Sequence, residues 1–211
     1  MITLYGMPHT RSFRALWALE EVGTQYQYQV VNLGKGEGKT AEFLSLNPSG
    51  KLPVITDGDL VLTESAAICT YLADCHPEKK LTPEVGSVER ARYNQWCYFV
   101  LTELEQPLWT MGKHKFALPK EYRVRQVQKT AGFEFVRAIR NLEAGLKDRS
   151  FLVGDHFTMA DLLAVHTLNW AHAFKIDHGS PLLDDYRSRI TQREAWQRAQ
   201  AIDEEKKGAM E

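Results

Sequence analysis

Residues 52–72 read LPVITDGDLVLTESAAICTYL, and this stretch decides the fold. Two short apolar runs, LPVIT and LVL, flank Asp57-Gly58, a pair that favours a tight hairpin because glycine accepts the positive φ that such a turn requires. The segment SAAICTYLAD that follows is typical of a helix and ends before His76-Pro77. The stretch therefore predicts a β-hairpin followed at once by a helix.

The residues before this stretch alternate between strand and helix patterns. ITLY predicts a short strand, and SFRALWALEEVG predicts a helix because Phe13, Leu16 and Trp17 recur at helical spacing before Gly23. QYQYQVV alternates with a period of two, which is typical of a half-buried strand, and TAEFLSLN predicts a short helix that stops at Pro48. The predicted order is strand, helix, strand, helix, hairpin and helix.

The rest of the chain shows no strand pattern. SVERARYNQWCYFVLTELEQPLWTM predicts a long helix capped by Ser87, and an amphipathic run from Glu121 to Lys147 predicts a second one. Further helices are expected around 158–171, 181–190 and 193–204. We therefore expect an α/β domain at 1–77, a linker at 78–86 and an all-α domain at 87–211.

Composition and charge exclude several classes of protein. Of the 211 residues, 44% are hydrophobic and 25% are charged, which is ordinary for a globular chain and argues against disorder. The net charge of −1 offers no basic surface for nucleic acid or for an anionic membrane. The opening MITLYGMPHT lacks the character of a signal peptide, and no apolar run is long enough to span a bilayer.

The cysteines and histidines form no metal or redox motif. Cys69, Cys75 and Cys97 match no zinc or redox spacing, so we expect buried thiols in a reducing, cytoplasmic compartment. The later histidines do not place two ligands at i and i+4 on one helix face. No metal is therefore expected.

A capping box lies in GDHFTMADLL, where a helix is predicted to begin. Thr158 can cap the backbone N–H of Asp161, and the Asp161 carboxylate can reach back to the N–H of Thr158. Phe157 and Leu162 occupy the two positions of a hydrophobic staple. We interpret this motif as a folding device that stabilises the helix start and has no chemical role.

Taken in order, four segments resemble the glutathione transferase family: LYGMPHTRSFRALWALEE, NPSGKLPVI, DGDLVLTESAAICTYL and GDHFTMAD. The resemblance is to the cytosolic type, and within it to bacterial, theta- and phi-like members that activate the thiol with a hydroxyl rather than a cysteine. It implies a thioredoxin-like N-terminal domain followed by an all-helical C-terminal domain. It also implies glutathione as co-substrate, a small electrophile or peroxide as acceptor, a homodimer and a role in detoxification.

The resemblance also implies how the cysteinyl and γ-glutamyl parts of glutathione are held. The backbone of Leu52, before a cis Pro53, would pair with the cysteinyl part as a neighbouring strand would. Glu64 and Ser65 would hold the γ-glutamyl end, where free N–H groups at a helix start attract a carboxylate. Leu52-Pro53 could equally be an ordinary start of a strand, and Ser65 a simple helix cap. Ala66 stands where many relatives have an arginine.

Two lysines are candidates for the glycyl carboxylate of glutathione. Lys39 matches the lysine of the GEHK-type loop of plant-like classes, although Gly38 replaces the usual histidine. Lys51 lies just before Leu52 and could assist. Both lysines could equally be solvated surface charges, as most lysines are.

The residue that activates the thiol has three candidates by resemblance. Thr10 matches the serine of theta- and delta-like classes, His9 matches the plant-like position, and Ser12 is a third hydroxyl nearby. Thr10 could instead be only a helix cap. Tyr5 is too close to the helix, and the absence of a cysteine from the turn argues against a cysteine mechanism.

The acceptor pocket is expected from the family layout alone. Met7 and Pro8 would form one side, and residues from Trp109 through His114 to Phe116 the other. A competing hypothesis is a non-catalytic, glutathione-transferase-like interaction module, and a third is a thiol–disulfide or dehalogenating enzyme of the same fold. Because Leu52-Pro53, Glu64 and Ser65 are all present, the sequence favours the enzyme.

Overall fold

The computed structural model of the chain describes residues 1–210, which divide into two compact units. Unit 1 consists of Met1–Thr82 together with the chain from Thr191 onward, and unit 2 is Pro83–Ile190. The sequence placed everything after residue 87 in the second domain. The structure instead groups the last helix with unit 1, for reasons given by its contacts below.

Unit 1 contains a four-stranded mixed sheet in the order β2-β1-β3-β4. Its strands are β1 (Ile2–Gly6), β2 (Tyr26–Val30), β3 (Val54–Asp57) and β4 (Leu60–Thr63). Its helices are α1 (Ser12–Val22), α2 (Ala41–Leu46), α3 (Ser65–Asp74) and, from the end of the chain, α9 (Glu194–Gly208). β2 is parallel to β1, whereas β3 runs antiparallel to both β1 and β4. This order of elements confirms the one predicted from the sequence.

Local sequence explains the ends of these elements. Gly23 ends α1 in the left-handed conformation, with φ of 72°, which costs glycine little. Thr40 caps α2 by accepting the backbone N–H of Phe43 at 3.2 Å. The β3–β4 turn uses Gly58 with φ of 57°, as the Asp57-Gly58 pair predicted.

Helix α9 belongs to unit 1 because it packs along α1. The guanidinium of Arg193 donates two hydrogen bonds of 2.7 Å to the carboxylate of Glu21, and Arg198 donates one of 2.8 Å to Glu20. Further along, the rings of Phe13 and Trp196 meet edge to face, 6.2 Å between centroids. These contacts join residues far apart in sequence, so local pattern could not predict them.

Unit 2 is entirely helical among the residues described. Its helices are α4 (Val88–Phe99), α5 (Glu105–Gly112), α6 (Val127–Leu146), α7 (Met159–Ala173) and α8 (Pro181–Ile190). α7 is buried over most of its length, and the apolar face predicted for α6 is buried at Phe135, Ile139, Leu142 and Leu146. Ser87 caps α4 as predicted by accepting the N–H of Arg90 at 3.0 Å.

The two long helices predicted in this unit differ from the sequence expectation. The first is interrupted by a wider π-type turn at Val100–Leu104, just before Pro107, which has no N–H and needs room at the carbonyl four residues earlier. The second begins at Val127 rather than near Glu121. There the guanidinium of Arg123 donates to the carbonyl oxygens of Leu118, Lys115 and Phe116. It so caps the end of a π-type turn, Lys113–Ala117, that follows α5.

The cysteines follow the sequence expectation only in part. Cys69 and Cys97 are buried thiols, and burial raises the pKa of Cys97 to about 12. Cys75 is exposed because it follows the last residue of α3, where the helix end faces solvent. Among residues 1–210, no helix is both long enough and apolar enough to cross a membrane.

Asp161 organises the start of α7. The capping box is present, with Asp161 Oδ2 accepting the N–H of Thr158 at 2.8 Å. The other oxygen, Oδ1, accepts the N–H of Leu152 at 2.9 Å and the hydroxyl of Tyr186 at 2.6 Å. Burial raises the pKa of Asp161, and these hydrogen bonds oppose that shift. A carboxylate that is 0% exposed thus ties three segments together.

We predict that Tyr186→Phe lowers the free energy of unfolding by about 1–3 kcal/mol, because it removes a donor from a buried carboxylate. Urea denaturation followed by circular dichroism measures this value. The same change at the exposed Tyr98 is the matched control and should be neutral. An equal effect of both substitutions would contradict the role assigned to the Tyr186 hydroxyl.

Candidate functional site

Sheet register brings the candidate binding segments to one end of unit 1. In the β1–β3 pair Tyr5 lies opposite Val54, so the turn after β1 adjoins the loop before β3. Thr63 also lies opposite Val54, which places the start of α3 at the same end. Three sequence-predicted segments, around residues 7–12, 51–53 and 64–65, therefore meet at one edge.

The turn before α1 is a compact hydrogen-bonded unit. Ser12 Oγ accepts the N–H of Met7 at 3.1 Å, and Thr10 Oγ1 lies 2.9 Å from Ser12 Oγ and 2.6 Å from the carbonyl oxygen of Met7. Ser12 is 0% exposed, whereas Thr10 is half-buried and reaches the surface. Of these two residues, Thr10 alone is accessible to solvent.

His9 is turned toward α9. Its backbone has φ of 58°, and its N–H donates to Asp203 Oδ2 at 3.0 Å. Its Nε2 lies 3.1 Å from a carboxylate oxygen of Glu204, and about half of the imidazole is exposed. The ring is thus engaged with the carboxylate of Glu204.

Asn47 holds the loop that leads to Leu52. Its amide donates to the carbonyl oxygen of Lys51 at 2.8 Å, and its Oδ1 accepts the N–H of Ser49 at 3.0 Å. The Leu52–Pro53 peptide bond is cis, as the resemblance implies, and Pro53 is buried while Leu52 is half-buried. The loop therefore presents Leu52 immediately before β3.

Two glycines bring the candidate lysine loops into contact. A β-carbon at Gly38 would lie 2.9 Å from the carbonyl oxygen of Gly50, and one at Gly50 would lie 2.8 Å from that of Gly38. Lys39 and Lys51 each follow one of these glycines, and both are exposed. This close approach is a physical reason for glycine rather than histidine at position 38.

The start of α3 combines a strained backbone with a buried cation. Glu64 has φ of 65° and ψ of 109°, an uncommon conformation for a non-glycine residue that is often found at ligand clamps. Ser65, 6% exposed, accepts a hydrogen bond of 3.3 Å from the guanidinium of Arg14, which is 0% exposed. Arg14 thus places a positive charge behind the N-terminus of α3. Ala66, which stands where many relatives have an arginine, carries no charge there.

The residues expected to line an acceptor pocket are placed within their own units. Met7 is half-buried and Pro8 is buried in the turn before α1. In unit 2, four aromatic rings form a continuous row with neighbouring centroids 6.2–6.4 Å apart: Trp109, Trp170, Phe174 and Phe116. His114 accepts the N–H of Val124 at 3.0 Å through Nδ1, so that nitrogen supports the backbone.

Three residues that support these segments were not predicted from the sequence. Arg14 stood in an apolar helix, and a charge within such a run is the signal that could have identified it. Asn47 precedes Pro-Ser-Gly, a turn signal that was used only as part of a motif. Asp203 carries no local signal. Within residues 1–210, no three histidine, cysteine, aspartate or glutamate side chains lie together as metal ligands.

The fold and site define a class of protein: a thioredoxin-like unit that gathers the three candidate segments at one sheet end, and a helical unit. Residues 1–74 match the model of the glutathione S-transferase N-terminal domain, and residues 106–194 match that of the C-terminal domain. A glutathione S-transferase-like protein of a Fusarium species is 35% identical over 182 residues, which cover 81% of this chain and 77% of the relative.

Solved structures agree with these matches. A glutathione transferase from Methylococcus capsulatus superposes with a TM-score of 0.87 at 30% identity, over 96% of this chain and 98% of that one. A sphingomonad glutathione S-transferase complexed with glutathione gives a TM-score of 0.83 at 28% identity, over 95% and 98%. The chain belongs to the glutathione S-transferase family, and its activity is that of a glutathione S-transferase with glutathione as substrate.

We predict that Gly38→Ala weakens glutathione binding about fivefold, equivalent to about 1 kcal/mol, because the new β-carbon pushes the Lys39 loop away from the Lys51 loop. Calorimetric titration with glutathione measures this affinity. Gly132→Ala is the matched control, since a β-carbon there meets no atom within 4 Å. Unchanged affinity in Gly38→Ala would mean that the packing of the two loops does not matter for the ligand.

Proposed function

We propose that unit 1 holds glutathione in an extended form across the end of its sheet and activates its thiol, and that unit 2 supplies the acceptor site. The observation that carries this proposal is the convergence of the 7–12 turn, the 51–53 loop and the start of α3 at one sheet edge. Glutathione has a carboxylate at each end and a thiol between them. The start of α3 would take one carboxylate, the 51–53 loop would pair with the cysteinyl backbone, and the 7–12 turn would face the thiol.

The start of α3 is the proposed site for the γ-glutamyl end. Because Arg14 donates to Ser65 Oγ, the Ser65 hydroxyl hydrogen can point outward to a carboxylate. The free N–H groups and dipole of α3 add to that attraction. The carboxylate of Glu64 is exposed beside it and would face the amino group. Leu52 would pair its backbone with the cysteinyl part, next to the cis Pro53.

Lys39 and Lys51 are the proposed partners of the glycyl carboxylate. They lie on two loops that touch through Gly38 and Gly50. Neither lysine has a carboxylate within ion-pair distance among residues 1–210, so both ammonium groups are available to an anion. Two cations at one end would orient the tripeptide with its thiol toward the turn.

Thr10 is the proposed activator of the thiol. A free thiol has a pKa near ~8.5, and lowering it by about two units requires about 2.7 kcal/mol of preferential thiolate stabilisation. The Thr10 hydroxyl donates to the carbonyl oxygen of Met7 at 2.6 Å, so it would turn from that carbonyl to the thiolate when glutathione binds. Ser12 Oγ, which accepts the N–H of Met7, can then donate to Thr10 Oγ1. Hydroxyls linked in this way polarise one another, and the dipole of α1 acts in the same direction.

The acceptor is proposed to be a small electrophile or a peroxide that the thiolate attacks. The aromatic row of unit 2, from Trp109 to Phe116, offers ring faces to an apolar molecule. Such a reaction fits a role in detoxification within the cytoplasm, where the three free thiols would stay reduced. Retention on immobilised glutathione, followed by aryl halide, peroxide and disulfide acceptors, tests the proposal. Failure of the protein to bind glutathione would overturn it.

A homodimer is proposed as the working form. The edge strand β4 exposes Leu60 and Val61, and an uncovered apolar edge invites a partner. In unit 2, Val88 and Tyr98 of α4 are also exposed. We predict a dimer at micromolar concentration by light scattering. A stable species at the monomer mass of 24.1 kDa would contradict this.

Ser65→Ala is expected to weaken glutathione binding about ten- to a hundredfold, because a hydrogen bond to a carboxylate contributes about 1.5–3 kcal/mol. Stability should also fall, by about 1–3 kcal/mol, because the buried guanidinium of Arg14 loses one acceptor. Calorimetric titration is the measurement, with the exposed Ser45→Ala as the matched control. Equal affinity of the Ser65 and Ser45 variants would limit Ser65 to a structural role.

Thr10→Val is expected to raise the pKa of bound glutathione by about one to two units and to lower turnover, because one donor to the thiolate is lost. Glutathione affinity should change little. Ultraviolet absorbance of the bound thiolate, titrated with pH, gives the pKa directly, and the exposed Thr102→Val is the control. A titration that moves in His9→Ala or Ser12→Ala but not in Thr10→Val would assign activation to those residues instead.

A further inference from the structure

The C-terminal helix reaches the turn that carries the candidate activator. Asp203 is 2% exposed, and its Oδ2 accepts the backbone N–H of His9 at 3.0 Å. Both residues belong to unit 1, although 194 positions separate them in the chain. The buried carboxylate of Asp203, on α9, thus holds the turn that precedes α1.

His9 requires support of this kind. Its φ of 58° is left-handed, where the β-carbon of a non-glycine residue is crowded against its own backbone. The hydrogen bond from its N–H to Asp203 Oδ2 offsets that crowding and can hold the residue there. Because His9 directly precedes Thr10, its backbone angles set the direction in which the Thr10 side chain leaves the turn.

We propose that Asp203 is a positioning residue for thiol activation: by holding the His9 backbone in the left-handed conformation, it sets the position of the Thr10 hydroxyl. This inference rests on the proposed function, in which Thr10 donates to the thiolate of bound glutathione. Asp203 acts through His9 and does not contact the ligand.

The surroundings of Asp203 indicate that it holds the His9 backbone through its acceptor oxygen and not through its negative charge. Burial raises the pKa of Asp203, and Glu204 adds to that shift, while the N–H and ring of His9 oppose it. A negative charge near the turn would repel the thiolate, so charge alone would work against activation. Within residues 1–210, Asp203 Oδ1 and the hydroxyl of Tyr28 are buried without hydrogen-bond partners. Asparagine keeps an acceptor oxygen, removes the charge and fits the same space.

The test compares Asp203→Ala with Asp203→Asn in the full-length protein. Asp203→Ala should raise the pKa of bound glutathione by about one unit and lower kcat about tenfold. In Asp203→Asn, kcat should stay within about twofold of wild type. The KM for glutathione should stay within about twofold of wild type in both variants. Arg198→Ala, which removes a different α9 contact at Glu20, is the matched control and should leave the titration unchanged.

A second variant tests the mechanism through the backbone. Glycine adopts the left-handed conformation without crowding, so His9→Gly in the Asp203→Ala background should recover most of the lost activity. Amide hydrogen exchange at residues 9–12, measured without glutathione, should accelerate in Asp203→Ala but not in Asp203→Asn.

The outcomes separate this inference from the proposed function. Unchanged exchange and an unchanged titration in Asp203→Ala would overturn the positioning role, even if Thr10→Val still moves the titration. Equal losses of kcat in Asp203→Ala and Asp203→Asn would also overturn the positioning role, since they would assign the effect to the charge of Asp203. If exchange and titration respond to Asp203→Ala while Thr10→Val has no effect, Asp203 still holds the turn at His9, but its action through the Thr10 hydroxyl is wrong and the inference is overturned together with the assignment of Thr10.

Discussion

The register between β1 and β3 is the constraint on which the site depends. With Tyr5 opposite Val54, the end of one strand and the start of the other meet at the same edge of the sheet. A shift of one residue would turn every side chain of a strand to the opposite face, so Leu4 and Ile55, both 0% exposed, would leave the core. Burial of these two strands therefore also fixes the relative positions of the turn at 7–12 and the loop at 51–53.

Electrostatics make this sheet edge attractive to an anion. Two helices, α1 and α3, begin at the edge, and the N-terminus of each carries the positive end of its dipole. Arg14 adds a full charge behind α3 without facing solvent. A buried cation is costly unless it is well bonded, so its place beside Ser65 links the stability of unit 1 to the polarity of the site.

Most of the fold could be predicted from the sequence because its signals are local. The alternation in QYQYQVV, the Asp57-Gly58 turn and the box at Thr158 and Asp161 each act within a few residues. The start of α6 could not be predicted, because Arg123, which lies just before it, instead caps the π-type turn at Lys113–Ala117. The grouping of α9 with unit 1 was equally hidden, since it depends on side chains that meet α1 across the whole chain.

The residues of the candidate site likewise divide into those with a local sequence signal and those whose partners are distant in the chain. Leu52, Pro53, Glu64 and Ser65 lie in motifs that the sequence displays, whereas Arg14 and Asp203 act through partners that only the folded chain brings near. Aspartate is an ordinary residue in the polar helix α9, so Asp203 gives no signal, whereas arginine in the apolar helix α1 does. Their roles follow from burial and hydrogen bonding, which spacing does not report.

The long separation between His9 and Asp203 has a consequence for biosynthesis. At translation rates of about 5–20 residues per second, the 194 intervening positions take about 10–40 s to synthesise. All of unit 2 is synthesised within that interval, while α1 still lacks the helix that covers it. The nascent chain therefore holds an uncovered helix for most of its time on the ribosome. The unit that begins the chain is the last to be completed.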